Sequence, residues 1–195
     1  MVGSRVDYPD LATEAARMVM LELVRILGEY KDSMAIVGGW VPELLFAIAR
    51  GDGRIIARGH NEQNSSQNKI AHAEMVAFDR TPGQVPIDAR DLILVSTLEP
   101  CVMCLGACME AAVDTVIYGL SAPADGGRLR VRPPMSPENQ MPRILSGVLA
   151  EQYRDLLRLF LKKPSSDPLQ IGFVNELLSH APSSLVGVQT PLLTG

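Results

Sequence analysis

Two short stretches, His72-Ala73-Glu74 and Pro100-Cys101-Val102-Met103-Cys104, hold residue types that perform metal-assisted chemistry. Zinc prefers nitrogen and sulfur donors in a tetrahedron, and a catalytic zinc leaves one position for water. His72, Cys101 and Cys104 can supply three ligands. The two cysteines stand three apart at the start of a helix, so their side chains share one face. The positive end of that helix also favours their ionised form. Glu74, two positions past the histidine, falls where a carboxylate can lie beside the metal's water without binding the metal. Zinc in such a site lowers the pKa of the water. The glutamate then takes the water proton and delivers protons to a ring nitrogen and a leaving amine. Attack on an amidine-like ring carbon ends with loss of ammonia.

The combination carries the specificity. A lone C-x-x-C is often a structural or redox pair, and H-x-E is common by chance. In this order, each opening a helix, they match the H-x-E and P-C-x-x-C signature of zinc deaminases. A structural zinc knuckle would need a fourth protein ligand. Cys108 stands nearest in sequence, four residues past Cys104 on the same helix, and reads instead as a buried apolar side chain.

The elements that must position these residues can be read from periodicity. Leu45 to Arg50 and Arg54 to Arg58 form a hairpin about Gly51-Asp52-Gly53. Gly59 to Lys69 is a polar loop, and Ala71 to Asp79 a helix ended by Thr81-Pro82-Gly83. Leu92 to Thr97 is a strand, Cys101 to Ala112 a helix and Thr115 to Leu120 a strand. That βαβ unit predicts parallel pairing. Ala122 to Gln140 reads as a loop. Apolar positions from Leu145 to Leu161 mark an amphipathic helix, with Lys162 and Lys163 at its negative end and Pro164 beyond. Pro168 to His180 forms a short helix. Upstream, Leu11 to Tyr30 reads as a helix, Met34 to Val37 as a short apolar run and Val41 to Leu45 as a brief helix.

Composition sets the outer bounds. The chain has 195 residues, 47% hydrophobic, and a formal net charge of −4. That length suits one compact domain with appendages. The acidic balance argues against a large non-specific nucleic-acid surface. All three cysteines lie within eight positions, a clustering that suits metal ligands in a reducing compartment better than a disulfide framework. Met1 to Asp10 lacks the apolar core of a secretory signal, and Met18 to Leu27 is too short and too charged to span a bilayer. The expectation is a cytoplasmic protein.

Thr97-Leu-Glu-Pro-Cys-Val-Met-Cys-Leu-Gly-Ala107 resembles the second zinc motif of bacterial tRNA adenosine deaminases, with a close variant in guanine deaminases of the same cytidine-deaminase-like superfamily. The resemblance runs from about Leu45 to Lys162. It implies a three-layer αβα fold around a central mixed five-stranded sheet, in a homodimer. It matches His72, Cys101 and Cys104 to the zinc ligands and Glu74 to the proton shuttle. Asn61 matches an asparagine that hydrogen-bonds the base, and a carboxamide suits that role because it both donates and accepts; a turn residue is the other reading. Ala73 matches a residue whose backbone N–H contacts the substrate. Asn64 is a weaker candidate with a turn as its default, and Glu99, before the Pro-Cys pair as in the family, has two readings, shaping the turn or catalysis. His60 and His180 read as ordinary histidines.

The chain departs from that pattern in three places. Asn68-Lys69-Ile70-Ala71 replaces the usual Asp-Pro-Thr-Ala before the histidine. Arg128-Leu-Arg-Val-Arg132 follows Gly127 where substrate scope can diverge. Met34 to Leu45, with Gly38-Gly39-Trp40, intrudes before the first strand and resembles the opening of small nucleotidyltransferase-like proteins, but the paired carboxylates that would bind magnesium do not follow it. The expected organisation is therefore an atypical segment 1–43, a deaminase domain 44–163, and a C-terminal helix and tail 164–195.

The leading expectation is a zinc-dependent deaminase of a nucleobase or nucleoside, purine favoured. The first alternative is RNA, an anticodon-loop adenosine, with Arg128, Arg130, Arg132, Arg158, Lys162 and Lys163 able to hold phosphates if they face the site. The second is an inactive binding module that has kept its zinc.

Overall fold

The computed structural model describes residues 46–52, 54–133, 135, 140–162 and 168–180. The readings of 11–30, 34–37 and 41–45 lie outside them. Strand β1 (Phe46–Arg50) turns back into β2 (Ile55–Gly59), where the Asp52 carboxylate accepts the Arg54 N–H at 2.9 Å. Helix α1 (Ala73–Asp79), strand β3 (Leu92–Leu98), helix α2 (Val102–Glu110) and strand β4 (Thr115–Leu120) follow. Strand β5 (Arg143–Ser146) and helices α3 (Ala150–Leu161) and α4 (Pro168–Ser179) complete the described elements.

The strands form one mixed five-stranded sheet in the order β2-β1-β3-β4-β5. β1 is antiparallel to both β2 and β3, whereas β3, β4 and β5 run parallel. The two central strands are buried at every residue, as expected of parallel strands covered on both faces. Side chains alternate between two cores. Leu92, Leu94, Val116 and Tyr118 meet Ala73, Ala77, Leu105 and Cys108 of α1 and α2. Ile93, Val95, Ile117 and Leu120 meet Tyr153, Leu157 and Phe160 of α3 and Val174 and Leu177 of α4. This is the expected three-layer αβα arrangement.

One element departs from the periodicity. The helix expected from Leu145 begins only at Ala150, and Arg143–Ser146 instead pairs with Thr115–Tyr118 as β5. Gly147 and Leu149 adopt left-handed φ of 79° and 54°, so no helix can run back through them. Leu145, Val148 and Leu149 still pack on the same core as α3, so their apolar spacing survives the change of backbone.

Sheet direction places the site. The carboxyl end of β3, with Ser96 and Leu98, lies beside a cavity that His72 and Cys101 also line. The helices α1 and α2 both begin at that end, on the same face of the sheet.

Candidate active site

His72 and Cys101 each sit at the N-cap of a helix, in extended backbone with ψ of 155° and 175°. Neither caps its helix with its own side chain, so both are turned to other use. Cys104, one turn into α2, is fully buried. The His72 Nδ1 lies 3.6 Å from both sulfur atoms, and the two sulfurs are 3.5 Å apart. Zinc with its ordinary bond lengths to sulfur and nitrogen would hold such atoms roughly 3.5–3.8 Å from one another. The donor set and its spacing fit a zinc ion with three protein ligands. Cys108 is buried in the α1–α2 core and takes no part, as its apolar reading requires.

Electrostatics follow from the crowding. The contact with Cys104, and after it that with His72, draws the Cys101 thiol down to about 4 against the effect of burial. The same sulfur contact, together with burial, pushes Cys104 up. The Cys101 contact raises His72. Glu74 is only 8% exposed, and burial pushes its carboxyl up.

A cavity of about 50 Å³ is lined by Asn61, His72, Ala73, Glu74, Ser96, Leu98, Glu99 and Cys101. One water needs roughly 10–15 Å³ of such volume, so an ion and a few waters fit inside. Five of the six predicted site residues line it, and the sixth, Cys104, touches Cys101 beneath. Ala73 is the first residue of α1, where backbone N–H groups have no partner within the helix. Asn61 lines the cavity and also makes a turn, its Oδ1 accepting the Gln63 N–H at 3.0 Å.

Ser96 was missed from sequence. Its signal was a hydroxyl near the carboxyl end of the otherwise apolar run Leu92–Val95. Glu99 is a staple. Its carboxylate accepts the backbone N–H groups of Ala122 at 3.2 Å and Arg128 at 3.1 Å. Gly126 is paired with Cys101, and a Cβ on it would lie 2.4 Å from the Glu99 carboxyl carbon. The loop after β4 is thereby held against the turn that carries Cys101.

Several charges weighed for phosphate binding are committed elsewhere. Arg130 donates to the carbonyls of Gly126 and Pro123 at 2.7 and 2.8 Å. Arg158 pairs with Asp155 at 2.6 Å. Lys163 lies outside the described residues. Asn64 is exposed and does not line the cavity. His60 faces Glu62 at 3.6 Å, and His180 closes α4 on the surface.

The family model of the cytidine and deoxycytidylate deaminase zinc-binding region matches residues 46–120. The chain is 34% identical over 117 residues to a tRNA-specific adenosine deaminase of Bacillus subtilis, covering 57% of this chain and 71% of that one. It is 35% identical over 108 residues to a tRNA(Ile)-lysidine synthase of Deinococcus deserti, covering 54% of this chain but 20% of the relative. Among solved structures, a guanine deaminase from Nitrosomonas europaea superposes with a TM-score of 0.51 at 22% identity, covering 81% of this chain and 93% of that one. A bifunctional diaminohydroxyphosphoribosylaminopyrimidine deaminase and reductase from Thermotoga maritima gives 0.56 at 21% identity, covering 84% and 42%. The last two likenesses concern the fold.

Proposed function

The chain belongs to the cytidine-deaminase-like superfamily of zinc-binding deaminases, and from that premise we propose that it hydrolyses the exocyclic amine of a nucleobase or nucleoside, a purine by preference. The supporting observation is the buried Glu74 carboxylate in the same cavity as His72 and Cys101. Zinc, when bound, supplies Lewis-acid activation of water near neutral pH. Glu74 does the proton work. Its carboxylate accepts a proton from the attacking water and passes it to the ring nitrogen beside the reacting carbon. The second water proton follows the same route to the amine. A carbon–oxygen bond forms, the carbon–nitrogen bond breaks, and ammonia leaves with the electron pair. Burial suits the shuttle, because it holds the carboxyl above its ordinary range and so makes it a stronger proton acceptor.

Asn61 and the Ala73 N–H are the proposed contacts to the base. Residues 44–163 are taken as the catalytic domain, in a cytoplasmic homodimer. Among the described residues, no helix is long and apolar enough to cross a membrane. A second reading, RNA as substrate, is favoured by one observation: the relatives at 34–35% identity that this chain covers by 71–72% are named tRNA-specific adenosine deaminases. The engagement of Arg130 and Arg158 within the chain weighs against a phosphate-binding role for those two side chains.

The deciding experiment assays zinc-loaded protein against adenine, guanine, cytosine, their nucleosides and an anticodon stem-loop with a wobble adenosine. Turnover of a free base or nucleoside, absent in Glu74→Ala, supports the proposal. Inosine in the stem-loop alone transfers it to RNA. A zinc-loaded protein silent on the whole panel overturns it in favour of a binding module.

A further inference from the structure

The loop between β2 and α1 is organised around a residue that the chemistry above does not use. Gln63, half-buried, makes four hydrogen bonds. Its N–H donates to the Asn61 Oδ1 at 3.0 Å, and its Oε1 accepts from the Asn61 Nδ2 at 3.0 Å. Its Nε2 donates to the Lys69 carbonyl at 2.6 Å, and its own carbonyl accepts the Asn68 N–H at 3.1 Å. One residue therefore grips the carboxamide that lines the cavity and ties it to the segment leading into His72.

The polarity of the grip is determined by backbone groups whose roles are fixed. A backbone N–H can only donate, so the atom of Asn61 facing it is the oxygen. A backbone carbonyl can only accept, so the atom of Gln63 facing Lys69 is the nitrogen. The other end of Gln63 must then be its oxygen, and the other end of Asn61 its nitrogen. Both amides are locked, and neither can turn over without setting two like groups face to face. Asn61 keeps one Nδ2 hydrogen and one Oδ1 lone pair for other partners.

Resting on the deaminase reading above, we propose that Gln63 is a positioning residue that fixes which end of the Asn61 carboxamide meets the substrate, and so sets the polarity of the base edge the site accepts. The recognised edge is a heteroaromatic one that sets a lone pair opposite the free Nδ2 hydrogen and an N–H opposite the free Oδ1 lone pair, in that fixed order. A wrong edge would meet a donor with a donor, because the amide has no freedom to adapt.

The test is a double-mutant cycle on zinc-loaded protein with Gln63→Leu, Asn61→Ala and the pair, measured on whichever substrate the panel identifies. Gln63→Leu keeps the N–H but removes the side-chain grip. It should raise KM by about tenfold, the worth of roughly one hydrogen bond, with kcat little changed. Because Gln63 acts through Asn61, the pair should be no worse than Asn61→Ala alone. Gln63→Glu keeps an acceptor for the Asn61 Nδ2 but sets a carboxylate oxygen against the Lys69 carbonyl, acceptor to acceptor, and should leave most of the loss in place. Losses that multiply in the pair, with zinc content and Tm unchanged, overturn the proposal. Nitrogen-15 spectra of the wild-type side-chain amides give a readout free of turnover and of variant folding. Slow, unequal exchange of the two Asn61 amide hydrogens supports the grip, and fast equal exchange overturns it. A wild type silent on every substrate strikes the deaminase reading, and the amide spectra then judge the grip by themselves.

Discussion

Gly59, the last residue of β2, lies so close to Ala73, the first of α1, that a Cβ on it would stand 2.2 Å from the Ala73 carbonyl oxygen. The Ala77 nitrogen would be 2.7 Å away. Those contacts are backbone, so they cannot swing aside. The absence of a side chain at 59 lets the strand end touch the helix start, bringing Asn61 and His72 to one cavity.

Gly59→Ala should accordingly destabilise the fold by about 1–3 kcal/mol, the ordinary cost of overpacking. It should also weaken zinc binding, because the helix start that carries His72 has to shift. Thermal unfolding with and without zinc, beside metal titration, would show both. An unchanged Tm would mean that β2 and α1 part easily.

The His72, Cys101 and Cys104 cluster and the central elements were legible because each rests on local signals. The H-x-E and P-C-x-x-C spacings name their own geometry, and Leu92–Leu98 and Thr115–Leu120 are unbroken apolar runs of strand length. β5 was not legible, because Leu145, Val148 and Leu149 keep a helical spacing that the packing of α3 shares. The roles of Gln63 and Gly59 depend on contacts between a loop or strand end and a helix, which no period in the sequence reports. For Glu99 the sequence left turn-shaping and catalysis both open, and its reach to Ala122 and Arg128 needs the fold.

Glu74→Gln should retain zinc and lose activity. The carboxamide preserves size and burial, and Glu74 is not one of the three clustered ligands. General acid–base catalysis contributes about 10²–10⁴-fold, and kcat should drop by that order. Metal analysis beside steady-state kinetics decides it. Loss of the metal together with activity would make Glu74 a ligand.

Chelation should lower Tm, and Cys104→Ser should imitate it. A ligand that binds only the folded chain stabilises it by about 2.7 kcal/mol at one hundred times its dissociation constant. Cys104 is fully buried, with its sulfur 3.5 Å from that of Cys101 and 3.6 Å from the His72 Nδ1, so the serine takes a sulfur donor out of the cluster. Calorimetry of the chelated wild type should find the lower Tm and full recovery on adding zinc. A Tm indifferent to chelation would mean that the cluster does not hold metal in solution.

Arg154 should prove essential to the docking of α4. It lies on α3, is 5% exposed, and donates to the carbonyls of Leu178, at 3.0 Å, and His180 at the end of α4. The last carbonyls of a helix lack partners of their own, and a cation there also meets the negative end of the helix. Hydrogen bonds to charged groups contribute about 1.5–3 kcal/mol. Arg154→Met keeps much of the apolar stem and removes the charge, leaving those carbonyls to find water. Val174 and Leu177 are buried against α3 in the same core, so loosening α4 uncovers apolar surface near Tyr153 and Phe160. Hydrogen exchange should rise across 168–180 while α1 and α2 on the opposite face keep their protection, since a separate cluster packs them. Zinc affinity should be unchanged. Uniform loss of protection over both faces would instead make this arginine a support of the whole fold, with the two cores unfolding as one.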